Sequence, residues 1–286
     1  MKFEKFVVQN NNAVINLFTT FAPMKIIEKT IVGKHSPESC EDCIAISTHF
    51  IAVIDGSTSK TPFQLSPLMK NGRMAAQLIA KFIETTLPPD ATLEQFCTGA
   101  TAVLRQEYEQ RGLTHRLLHH PEERLTASAI VYSRQRNEVW MVGDCQAIVG
   151  GQLYDNPKPY EQAIATKRAE LIRQGTDPQQ ARKQIEPELI EAMLTGQNRQ
   201  YAVIDGFPIH RPGVKVIQCQ QADSPEIILA SDGYPFLCPT LSESEEALAR
   251  QLRHDPQNIT TFIATKGLVN GNQSFDDRAY IRFLTE

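Results

Sequence analysis

Apolar, β-type runs in this chain repeatedly begin or end on an aspartate, and that pattern limits what it can fold into. The sharpest case is Phe50-Ile51-Ala52-Val53-Ile54-Asp55-Gly56-Ser57-Thr58-Ser59-Lys60. Its apolar residues suit a strand buried on both faces, and a carboxylate at the strand's end lies where core meets solvent. Gly56 has no Cβ, so its carbonyl can approach an ion or a phosphate closely and a positive φ costs little there. Taken alone, the stretch reads first as a strand ending in a common Asp-Gly turn. The same arrangement recurs, however, at Asp42, Asp144, Asp205, Asp232 and the pair Asp276-Asp277. Carboxylates gathered by a sheet at its strand ends cannot all stay ionised without cations. An oxygen-only set selects Mg²⁺ or Mn²⁺ over zinc or copper. Two such ions about 3.5–4 Å apart would polarise a phosphoryl group and supply a bound hydroxide as nucleophile.

The chain has 286 residues, 41% of them hydrophobic and 22% charged, enough to bury a substantial core. A formal net charge of -4 gives no electrostatic reason to expect nucleic acid or an anionic membrane as partner. No run reaches the length of a membrane span, and Met1-Lys2-Phe3-Glu4-Lys5 lacks the apolar stretch of a signal peptide, so a cytoplasmic protein is expected. The six cysteines are scattered, which fits reduced thiols. Cys40-Glu41-Asp42-Cys43 has no second pair or histidines at ligand spacing, so a zinc site is not expected.

Residues 1–23 are poorly patterned and are read as an extension, with one compact domain over 24–286. Strands are expected at Lys25–Val32, Cys43–Ser47 and Phe50–Ile54, and then two amphipathic helices around Ala75–Ile83 and Leu93–Tyr108. The loop with His115, His119 and His120 reads as solvated. Short runs from Ala127 to Tyr154 predict hairpins, and two charge-dense helices over 161–194 are expected on the outside. Strands at Tyr201–Ile204, Val214–Gln218, Glu226–Ala230 and Ala279–Leu284, with helices at Ser242–Leu252 and Asn258–Lys266, complete the pattern. Two sheets with helices outside both follow.

The order of motifs resembles the metal-dependent protein phosphatases of type 2C, in bacterial form. It runs Glu41-Asp42, Val53-Ile54-Asp55-Gly56, Leu125-Thr126-Ala127-Ser128, Val142-Gly143-Asp144-Cys145, Ser231-Asp232-Gly233 and Ser274-Phe275-Asp276-Asp277. Asp155-Asn156-Pro157-Lys158-Pro159 resembles that family's Asp-His-x-Pro segment. The resemblance implies an α+β fold of two packed, mainly antiparallel β-sheets flanked by helices on both outer faces. It implies a two-ion Mg²⁺ or Mn²⁺ centre in which Asp55 bridges the ions and the Gly56 carbonyl ligates one. Asp232 and Asp276 would complete the other shell, Asp42 would act through waters, and Asp144 would hold a third ion. The implied activity is hydrolysis of phosphoserine and phosphothreonine in a phosphoprotein, with the chain acting as a monomer.

Two departures bear on that activity. The family's phosphate-clamping arginine, four residues before Glu-Asp, is Pro37 here, with Lys34 or His35 as substitutes. A lysine offers a point charge without the bidentate fork. The family's Asp-Gly-His-Gly reads Asp55-Gly56-Ser57-Thr58, and serine cannot protonate a leaving group near neutral pH. Aryl esters need less help, so they are expected to be cleaved more readily than phosphoserine. The other reading is a pseudophosphatase that keeps the fold as a binding module. Asp205 falls where the family has no metal strand, and Asp277 is expected to orient the site.

Overall fold

The computed structural model describes residues 24–219 and 225–285. The expected extension over 1–23 lies outside the described residues. One five-stranded sheet consists, in spatial order, of β2 (Cys43–Ile46), β3 (Phe50–Gly56), β4 (Ala127–Ser133), β5 (Glu138–Val142) and β8 (Val214–Gln218). The other consists of β1 (Lys25–Val32), β10 (Arg278–Leu284), β9 (Glu226–Ala230), β6 (Gln146–Val149) and β7 (Gln152–Tyr154). Every neighbouring pair is antiparallel. The fold is thus α+β, with two packed sheets, as the sequence predicts.

Side-chain alternation along β3 shows how the layers form. Ile51 and Val53 face the second sheet, joining Ile130 and Met141 of their own sheet against Leu229, Ile281 and Phe283 of the other. Phe50, Ala52 and Ile54 face the other way, against α1 (Asn71–Thr85) and α2 (Leu93–Gln110). Ala75, Ala76, Ile79, Phe82 and Ile83 form the buried stripe of α1. Trp140 of β5 stacks on Phe96 of α2 with ring centroids 5.8 Å apart. An aromatic pair of this kind adds about 0.5–1.5 kcal/mol beyond its burial. On the far side, Ile148, Ile228 and Tyr280 are covered by Tyr234, Leu237 and Leu241, the last at the start of α6 (Leu241–His254).

The hairpins between Ala127 and Tyr154 divide between the sheets. β4 and β5 pair in the first and β6 and β7 in the second, so the chain crosses the sandwich at Gly143-Asp144. Gly143 has φ +99°, and a Cβ there would lie 2.2 Å from Ser128 Oγ, so only glycine makes that crossing.

Four expectations change. His115 and His119 lie in a short helix, α3 (Thr114–His119), with His120 just beyond it. Tyr201–Ile204 is no strand, because Asn198 Oδ1 takes the N–H groups of Val203 and His210 at 3.1 and 3.2 Å, leaving single bridges at Tyr201 and Ile204. Asn258–Lys266 is an irregular loop instead of a helix. Asp255 accepts the N–H groups of Ile259, Thr260 and Thr261, and Asn258 has φ +53°, which ends helical propagation. Finally, α4 (Glu161–Arg173) and α5 (Pro178–Gly196) are not merely external. They share a small core of Ile164, Ile185 and Leu189, and α5 also roofs the cavity described below. Among the described residues no helix is long and apolar enough to cross a membrane.

Candidate metal centre

Strand alternation delivers the acids to one end of the sandwich. Asp55 continues the row of Ile51 and Val53, and Asp277 continues that of Ala279, Ile281 and Phe283, so both fall in line with side chains between the sheets. Asp42, just before β2, is in register with the inward Ile44 and Ile46. Ser128 is paired with Asp55 across β3 and β4. Asp232 follows β9, and Asp144 lies at the crossing between sheets.

Asp55, Asp144 and Asp232 each offer an oxygen, and the three oxygens lie within 4.8 Å of one another. Burial first, and then the charges of Asp42, Asp144 and Asp276, hold the carboxyl of Asp55 well above the ordinary carboxylate range. Asp232 is raised in the same way, by burial and then by Asp55 and Asp144. Burial also pushes Asp144 upward, but Lys158 and the Ser128 hydroxyl, which donates to Oδ1 at 2.5 Å, outweigh it and bring the group below its usual value. Lys158 donates to the other oxygen of Asp144.

A second layer of acids lies beside this trio. Burial, together with Asp276, Asp277 and Asp232, raises Asp42, although Ser231 pulls the other way. Asp276 bridges two ammonium groups, accepting from Lys34 Nζ at 3.0 Å and from Lys266. Burial would raise Asp276, yet the two lysines prevail and hold it well below the carboxylate range. Asp277 ties two loops together, accepting the backbone N–H of Lys34 at 2.7 Å and that of Glu41 at 3.2 Å.

Gly56 is required for a reason that only the packing reveals. A Cβ there would lie 2.3 Å from the carbonyl oxygen of Gly72 and 2.4 Å from that of Glu41. The first turn of α1 packs directly on the loop after Asp55, and Gly72 is needed from the other side, since its own Cβ would lie 2.6 Å from the Ser57 carbonyl.

The trio forms part of the lining of a cavity of about 70 Å³, large enough for a few ions or waters. Lys60, Lys158, Lys266 and Arg182 also line it, and Leu189 and Tyr201 add an apolar wall. Sequence motifs alone do not assign these cations to the site. Lys158 falls within the Asp155–Pro159 segment, whereas Arg182 and Lys266 reach the cavity only through the packing of α5 and the 255–267 loop. Lys34 does not line the cavity; it binds on the far side of Asp276, 3.3 Å from Asp277 and 3.9 Å from Glu41.

Asp205 lies apart from the cluster. It is fully buried and takes Arg124 Nη1 and Gln197 Nε2, each at 2.8 Å, while Phe207 N–H donates to its other oxygen at 3.0 Å. Burial pushes the thiols of Cys40 and Cys43 up to about 12 and about 11, so neither is a ready thiolate ligand.

The donors present fit a hard divalent cation. They are carboxylate oxygens, and Asp42 Oδ2 and Glu41 Oε1 are buried without a hydrogen-bond partner among the described residues.

No family model matches the sequence, and no curated protein matches it. Solved structures do show similarity. One is described as PppA, a key regulatory component of T6SS in Pseudomonas aeruginosa, with TM-score 0.45 and 13% identity over 92% of this chain and 98% of that one. Another is the catalytic domain of serine threonine protein phosphatase PstP in complex with 2 manganese ions, at 0.45 and 14%, over 91% and 99% of the two chains. A third is Stp1, a serine/threonine phosphatase from Staphylococcus aureus, at 0.42 and 14%, over 93% and 98%.

Proposed function

We propose that this chain is a metal-dependent phosphatase that hydrolyses phosphate monoesters on serine and threonine of a phosphoprotein. The observation that carries this reading is the convergence of Asp55, Asp144 and Asp232 within 4.8 Å in a cavity that also presents lysine and arginine side chains. Mutually repelling acids call for cations, and cations arranged beside them suit a phosphate. Asp55, the Gly56 carbonyl, Asp232 and Asp276 would hold two Mg²⁺ or Mn²⁺ ions, with Asp42 acting through waters and Asp144 serving a third. Bound there, such ions would polarise the phosphoryl group and activate water for attack.

The chain's own residues do the rest. Asp277 fixes the loops bearing Lys34 and Glu41 through their backbone N–H groups, which keeps the carboxylates from drifting apart. The Thr58 hydroxyl donates to Glu41 Oε2 at 2.7 Å, so it is committed to a carboxylate. Ser57 and Thr58 offer no acid for the departing alkoxide, and aryl phosphates, whose leaving groups are weaker bases, should therefore turn over faster than phosphoserine peptides.

A second reading, a catalytically weak binding module, is favoured by one observation: lysine ammonium groups already sit on Asp144 and Asp276. Turnover of p-nitrophenyl phosphate with Mn²⁺, then with chelator, and then by Asp55→Asn separates the two. Turnover that needs Mn²⁺ and Asp55 supports hydrolysis. A rate indifferent to chelator, or no turnover with any divalent cation, overturns it.

A further inference from the structure

Two cations in the cavity have no anion of their own. Lys158 is paired with Asp144, Lys266 with Asp276, and Lys34 with Asp276 and Asp277. Lys60 and Arg182 make no ion pair within 4.0 Å among the described residues. The Lys60 ammonium donates to the Thr58 carbonyl at 2.6 Å, and one Arg182 Nη donates to the Thr265 carbonyl at 2.8 Å. Those backbone acceptors aim the groups without neutralising them. Both side chains line the same cavity as Asp55, Asp144 and Asp232.

Gathering unpaired like charges costs free energy that a bound anion would recover. The cost is visible at Lys60, which burial and then the nearby Lys266, Arg182 and Lys158 bring down to about 7. Arg182 is lowered chiefly by burial, with Glu186, one turn along α5, and then Asp276 and the cavity-lining Glu161 only partly offsetting it.

We propose that Lys60 and Arg182 form the clamp for the substrate's phosphate, taking over the role that the arginine absent at position 37 would have had. The proposal rests on the phosphatase reading for its substrate class. Arg182 keeps most of its planar fork for two phosphate oxygens, and Lys60 adds a point charge from the loop that follows β3. The clamp therefore spans two elements, the loop that carries the metal-binding Asp55-Gly56 and the helix that roofs the cavity.

The test is calorimetric titration of inorganic phosphate into the Mn²⁺-loaded full chain, alongside Lys60→Gln and Arg182→Gln. Each variant is expected to weaken phosphate affinity by roughly tenfold or more and to raise KM for p-nitrophenyl phosphate in step, with Mn²⁺ affinity within about twofold of wild type. Arg182→Lys should recover part of the loss, because it keeps the charge without the fork. Phosphate affinity unchanged in a folded Lys60→Gln overturns the clamp, whether or not Arg182→Gln folds. Arg182- and Lys60-dependent phosphate binding by a protein that never turns over substrate would sustain the clamp and remove the hydrolase reading. Mn²⁺-dependent turnover with phosphate affinity untouched by either variant would do the reverse.

Discussion

Lys34 Nζ lies 3.0 Å from Asp276 Oδ1, with Lys266 on the opposite carboxylate oxygen, so a predicted metal ligand is already neutralised from both sides by its own chain. The lysine nearest the missing arginine in sequence thus serves the acids and does not face the cavity. Burial alone would lower its affinity for a proton, yet Asp276, Asp277 and Glu41 together raise it well above the ordinary lysine value.

Lys34→Gln should therefore loosen the metal-free protein and tighten its hold on cations. Loss of a partly buried ammonium from three acids is expected to cost about 2 kcal/mol in denaturant unfolding without metal. Mn²⁺ affinity, read by electron paramagnetic resonance, should rise, because a competitor for Asp276 is gone. KM for p-nitrophenyl phosphate should change by less than about twofold; a much larger rise would place Lys34 on the substrate instead.

Asp55→Asn is expected to raise the melting temperature of the metal-free chain. It removes a carboxyl whose ionisation is opposed by burial and by neighbouring acids, in a trio whose oxygens lie within 4.8 Å of one another. Relief of about 1 kcal/mol corresponds to roughly 2–4 °C for a chain of this size. The same variant should lose the stabilisation that added Mn²⁺ gives the wild type. Scanning calorimetry with and without Mn²⁺ checks both, and a lower melting temperature for the metal-free variant would contradict the electrostatic account.

Asp205→Asn should do the opposite, because Asp205 is held by Arg124 and Gln197 instead of repelled by neighbouring acids. Leaving Arg124 without its carboxylate is expected to cost about 3–5 kcal/mol. Mn²⁺ affinity of the folded variant should be that of wild type. A large loss of Mn²⁺ binding without loss of stability would return Asp205 to the metal centre.

Lys60 makes phosphate binding proton-linked. Its folded value of about 7 is far below the ordinary lysine value, because of burial and the facing Lys266, Arg182 and Lys158, with Asp276 the opposing charge. The unfolded chain then binds more protons here than the folded one from about pH 7 to about 10, so this group's contribution to stability grows as pH rises across that window. A phosphate dianion restores the proton affinity of Lys60. Titrations at pH 8 in two buffers of different ionisation enthalpy should show proton uptake on phosphate binding that approaches one per site. The uptake should vanish in Lys60→Gln.

The carboxylate rows were legible in the sequence because alternation along a strand is rigid. Once Ile51 and Val53 face the second sheet, Asp55 must follow them, and Asp277 follows Ala279 and Ile281 by the same rule. The cations were not legible. Lys60 and Lys266 lie in loops, and Arg182 lies on a helix whose own pattern is dominated by surface charge, so their convergence depends on how α4 and α5 dock. Arg168 of α4 donates to the Gln257 and Ala264 carbonyls at 2.7 and 3.3 Å and so anchors the loop that delivers Lys266. Contacts of that range leave no local periodicity. The expected helix over 258–266 failed for a related reason: the Asp255 carboxylate claims backbone donors that a helix would need.

The chain changes sheets at Gly143-Asp144, so Asp144 belongs to neither layer, while Asp55 ends a strand of one and Asp232 follows a strand of the other. Ions held among these acids would rivet the seam of the sandwich. Shear between the layers would then have to break coordination bonds as well as displace apolar packing. Amide exchange in β3 and β9 should slow together when the ions bind, although the two strands are not neighbours in either sheet.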